Sequence, residues 1–129
     1  MLLVFALSWN AILHLVFLAK VNASVRHLHR ADLPDKMWLS VLLAAGIVVL
    51  FVLGHQRFVH SPSVREGALF GLYFALVAGL LVDLNQYVLY PIPAGVAALW
   101  FAGGLAEFVL YGVFTSQLLS RSTPGTPPV

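Results

Sequence analysis

The chain has 129 residues, 60% of them hydrophobic and only 9% charged, with a formal net charge of +2. Soluble domains average about 25% charged residues, so this composition excludes an ordinary soluble domain. The basic excess sits in loops and forms no stripe interleaved with aromatics, which argues against nucleic acid as a partner, and the absence of cysteine excludes disulfides and thiolate metal sites.

A helix needs about 20 apolar residues to cross a bilayer. Four runs approach that length, at about 2–19, 37–54, 67–90 and 96–119. In lipid the backbone must satisfy its own hydrogen bonds, so each run is expected to be a helix. This predicts an all-α integral membrane four-helix bundle, a single domain over 1–121. The first run has no basic residue ahead of it and is followed by Lys20, the pattern of a retained helix rather than a cleaved signal. Asn10 and His14 lie four apart on it, on one face.

Loop one, from about Lys20 to Lys36, carries Arg26-His27-Leu28-His29-Arg30 and reads as a solvated basic loop. Pro34 disfavours helix at Leu33 and helps to start span two. Loop two holds Arg57, His60, Arg65 and Glu66, and His55 and His60 are expected at the interface. Loop one and the opposite side carry four and three Lys/Arg, so the positive-inside rule favours a cytoplasmic loop one by one charge.

Span three has small residues at every fourth position: Gly67, Gly71, Ala75 and Gly79. Such a row lets another helix backbone approach closely. Asp83 and Tyr87 continue it, with Gln86 beside them. The turn Pro91–Ala94 is short, so spans three and four form an antiparallel hairpin. On span four Gly103, Glu107 and Tyr111 share a face, extended by Thr115. The tail, 122–129, is rich in Pro, Ser and Thr and is expected to be disordered.

Asp83 and Glu107 are the most informative residues, because a carboxylate in hydrocarbon normally faces a partner or a cavity. At 1.5 Å per residue, His14 and Glu107 each lie about 18 Å into their spans, near the midplane. They are therefore expected to face each other. Asp83 lies about 10 Å from the turn, about 8 Å from the level of Glu107, which argues against a carboxylate pair for acid–base work. The polar intramembrane set is Asn10, His14, Asp83, Gln86, Tyr87, Glu107 and Tyr111.

Two resemblances are carried by the hairpin. Ile92-Pro93-Ala94-Gly95-Val96-Ala97-Ala98-Leu99-Trp100-Phe101-Ala102-Gly103-Gly104 is similar to the third-helix start of small multidrug resistance transporters, and Leu118–Pro124 to their tail. Here the stretch opens span four, and His14 stands nearest to where that family has a Glu in its first span, so the family's site is not carried over. Arg65-Glu66-Gly67, Gly71 and Gly79, Pro91-Ile92-Pro93 and Trp100-Phe101-Ala102-Gly103-Gly104 together resemble uncharacterised small bacterial four-helix inner-membrane proteins. That resemblance implies an inner-membrane location and no activity.

No nucleophile elbow, phosphate loop or paired-histidine metal motif is present in the sequence. The expectation is a non-enzymatic protein, an accessory or assembly subunit that packs against lipid and against other membrane subunits or itself. One alternative is a homo-oligomeric proton-coupled carrier using Glu107. Another is a pigment- or haem-binding subunit with His14 as axial ligand. The sequence names no other cofactor and no catalytic residue.

Overall fold

The structure is a computed structural model that describes residues 1–29, 32–60 and 63–122. Every regular element among them is helical. Helix α1, Leu2–Ile12, runs on into a π-helical turn over Leu13–Phe17. Helix α2 is Ala19–Ser24, followed by 3₁₀ turns at Arg26–Leu28 and Pro34–Lys36. Helices α3, Met37–Phe58, α4, Val64–Leu81, α5, Asp83–Leu89, and α6, Ala94–Ser122, complete the chain.

Three stretches are long and apolar enough to cross a membrane: Pro34–Phe58, Val64–Leu89 and Ala94–Ser120. The expected first span is shorter, Leu2–Phe17. The chain is an all-helical integral membrane protein with three such helices and this fourth apolar segment.

Local chemistry sets the ends. Ser63 caps α4 by accepting a hydrogen bond from the Glu66 backbone N–H at 3.2 Å, which satisfies one of the amides a helix start leaves open. Pro34 occupies the first position of the turn that leads into α3, where its missing N–H costs nothing. Loop one is more helical than expected, because α2 and both 3₁₀ turns lie within it. Span two continues four residues beyond the expected end, to Phe58, and span three begins at Val64. The expected disordered tail falls outside the described residues, apart from Ser122, which ends α6.

Helices α4 and α6 make the most extensive contact in the molecule. Gly67, Gly71, Ala75 and Gly79 are all buried in it. A methyl group on Gly67 would overlap the Gly112 carbonyl and Ser116 Oγ, and one on Gly71 would overlap the Phe108 carbonyl. In lipid no hydrophobic force drives helices together, so close backbone packing supplies much of the attraction. Gly103, placed in the same packing set, instead faces Leu13 and Leu18 of the first segment with room for a methyl.

Helix α3 joins through Val48, Phe51 and His55. Phe51 is fully buried, with its ring 5.1 Å from both Phe70 and Phe74 and 5.9 Å from Phe108. Helix α1 is held by Phe5 stacked on Phe114 at 4.4 Å and by the Tyr111 hydroxyl donating to the Ala6 carbonyl at 3.1 Å. At the loop-one end, Val25, Ile92 and Val96 form a second cluster with Val21 and Trp100.

Candidate functional site

The break between α4 and α5 falls at Val82, immediately before Asp83. It sets the Asp83 carboxyl against α6: a Cβ on Gly104 would lie 3.6 Å from Asp83 Oδ2, and one on Gly79 3.7 Å. Gly104 is three residues from Glu107, about 4.5 Å of helix rise. The two carboxyls are thus closer in level than counting from the turn suggests, and both line one cavity of about 410 Å³. Asn10, His14, Gln86 and Trp100 also face it, and the rest of its wall is apolar, including Leu13, Ile47 and Phe108.

Glu107 is 9% exposed. Its carboxyl accepts from the Asn10 amide at 3.2 Å and from the Tyr111 hydroxyl. Asp83 is half-buried and has no hydrogen-bond partner among the described residues. No Lys or Arg lines the cavity among the described residues. A second cavity of about 130 Å³ shares Asn10 and Glu107 with the first and reaches Tyr111.

His14 does not pair with Glu107, contrary to expectation. It is bonded to Asn22, whose amide lies 3.3 Å from His14 Nδ1 and donates to the His14 carbonyl at 3.1 Å. The π turn gives the reason. Leu18 N–H bonds to the Leu13 carbonyl five residues back, at 2.8 Å, so the segment no longer follows the helical phase that set His14 toward Glu107. Asn10, one turn earlier and in regular helix, meets Glu107 instead. Tyr87 is exposed and lies apart from this cavity, whereas Gln86 faces it.

Four participants escaped sequence reasoning. Asn22 also accepts from Trp100 Nε1 at 2.8 Å, which ties the first segment to α6. Gly112 completes the α4–α6 seam. The spacing Gly104, Phe108, Gly112, Ser116 on α6 carries that signal, since residues four apart share a face. His55, expected at the interface, is 1% exposed, and its Nε2 lies 2.8 Å from the fully buried Ser116 Oγ. This pair is bounded by Phe70 and lines none of the cavities described above.

Among the described residues no group of three or more His, Asp or Glu is placed to hold a metal ion. No protein-family model matches the chain, and no solved structure does. Over 88 residues the chain is 32% identical to the phosphatidylglycerol–prolipoprotein diacylglyceryl transferase of Fervidobacterium nodosum. The match covers 64% of this chain and 29% of that protein, so the chain spans less than a third of this curated relative and is similar to a part of a bacterial membrane enzyme.

Proposed function

We propose that the chain is a small non-enzymatic carrier of the bacterial inner membrane that exchanges protons for an organic cation at Glu107 and Asp83, working as a homo-oligomer. The observation that carries this reading is the cavity of about 410 Å³ with two carboxyls on its wall, one of them without a protein partner. That volume lies within the roughly 300–1,000 Å³ of ligand pockets, far more than a proton alone requires. Ionisable groups inside the membrane mark ion and proton pathways because their desolvation is costly without a function. With carboxylates as its anionic groups and no Lys or Arg beside them, the cavity favours a positive solute. Its apolar wall and the Trp100 and Phe108 rings favour an organic one.

The test is flux in vesicles. With the purified protein in liposomes that enclose a pH-sensitive dye, external benzyltrimethylammonium should drive proton release from the lumen. Glu107→Gln should abolish that exchange. Absence of coupled proton movement in the unmodified protein overturns the reading.

The transferase relative raises an enzymatic alternative, in which this chain would act on phosphatidylglycerol. Support for the non-enzymatic reading is that the His55–Ser116 pair, which has the atoms of a base and a nucleophile, is enclosed by the helices. Incubation with labelled phosphatidylglycerol and a prolipoprotein peptide should yield no diacylglyceryl transfer, and transfer would replace the carrier reading.

An accessory subunit is the second reading. It is favoured by the thin attachment of α3, whose Trp38, Leu42, Val49 and Leu53 are exposed along the opposite face. Native mass in mild detergent separates the two, since an assembly with other polypeptides supports the accessory role and a small homo-oligomer supports the carrier. The pigment or haem reading at His14 gains no observation of its own.

A further inference from the structure

His14 and Trp100 face two spaces. One is the inner cavity with Asp83 and Glu107. The other, about 590 Å³, opens under loop one and is lined by Asn22, His29, Leu33 and Ser40 as well. Asn22 joins the two dividing side chains, and its bonds can be assigned without ambiguity. The Trp100 indole only donates, so the atom facing it at 2.8 Å is the Asn22 oxygen. The Asn22 nitrogen therefore faces His14, where it donates to the carbonyl at 3.1 Å and meets Nδ1 at 3.3 Å. An amide nitrogen cannot accept, so Nδ1 must, and neutral His14 carries its proton on Nε2.

We infer that His14, Asn22 and Trp100 form a proton-sensitive latch between the outer cavity and the carboxylate cavity, closed while His14 is neutral and released when it gains a second proton. This inference rests on the carrier reading, for which it supplies access from the loop-one side. A proton from water in the outer cavity adds to Nδ1. Nδ1 then becomes a donor aimed at the donor nitrogen of Asn22. Turning the Asn22 amide over does not rescue the contact, because it sets nitrogen against the Trp100 N–H and oxygen against the His14 carbonyl. The three-residue link must separate. The titratable groups that face His14 are Asp83 and Glu107 across the inner cavity and His29 across the outer one.

The cysteine-free chain allows a direct test. Ala78 lines the inner cavity and Ala23 is exposed on α2. Ala78→Cys and Ala23→Cys are made singly in the full chain, and each is labelled with a membrane-impermeant methanethiosulfonate between about pH 8 and about pH 5, where histidine titrates. The ratio of the two rates removes the pH dependence of thiol chemistry. The ratio should rise several-fold on acidification. It should stay low and flat with His14→Asn, which can accept the same bond but does not titrate. It should be high and flat with Asn22→Ala, or with Trp100→Phe, which deletes only the indole donor and serves if Asn22→Ala does not fold. A flat ratio in the parent, a pH response that survives His14→Asn, or a Trp100→Phe variant that behaves as the parent overturns the latch. Labelling requires no solute flux, so failure of the carrier reading in vesicles and failure of the latch are seen separately.

Discussion

The Gly67 and Gly112 backbones pack directly on each other, so that a methyl on either would overlap the other's carbonyl oxygen. The contact pins α4 to α6 and sets the spacing at which the carboxyls of Asp83 and Glu107 share one cavity. Gly67→Ala and Gly112→Ala should each destabilise the fold by about 1–3 kcal/mol, the usual cost of overpacking. Gly95→Ala, in open space, and Gly103→Ala, whose added carbon would lie 3.4 Å from the nearest Leu13 carbon, should be close to neutral. Unfolding in mixed micelles measures the difference.

Phe51 is the single side chain through which α3 meets the Phe70, Phe74, Phe108 and Tyr111 rings. Its replacement by Ala leaves a cavity on a thinly attached helix. The expected loss is about 3–5 kcal/mol, read by the same unfolding assay.

Tyr111 donates both to Glu107 and to the Ala6 carbonyl. Tyr111→Phe keeps the ring packing and removes these bonds. Side-chain hydrogen bonds in membranes average about 0.6 kcal/mol and reach about 1.7, so the loss should fall in that range. Glu107→Gln, which still offers an acceptor, should cost no more, while it ends proton exchange in vesicles.

Ser116→Ala deprives His55 Nε2 of its partner, and His55 Nδ1 already lacks one among the described residues. A buried polar group left unpaired costs about 1–3 kcal/mol. The variant should unfold earlier by that amount with cation exchange retained, since the pair lies away from the cavity.

Asp83→Asn removes a charge that bonds to no protein group among the described residues. Stability should be unchanged or slightly raised. Benzyltrimethylammonium binding, followed by calorimetry, should be lost. Unchanged binding would assign the cation site to Glu107 alone.

Several of these features were legible in the residues. The apolar runs specify membrane helices, because length and hydropathy are local quantities. The Gly67, Gly71, Ala75, Gly79 row identifies a close-packed face, because residues four apart share a face in any regular helix. The carboxyls stand out as functional candidates from the cost of charge in lipid alone.

The partners of the polar groups were not legible in this way. His14 and Glu107 share a depth yet do not bond, since a π turn changes the helical phase at His14 and an amide eight residues away takes its ring nitrogen. Asp83 approaches Glu107 because the helix breaks at Val82. His55 is buried because α3 runs past its expected end and presents it to Ser116. Composition and periodicity determined the helices and the seam between two of them. The rotation of each helix about its own axis, which only packing against its neighbours decides, selected the groups that meet inside.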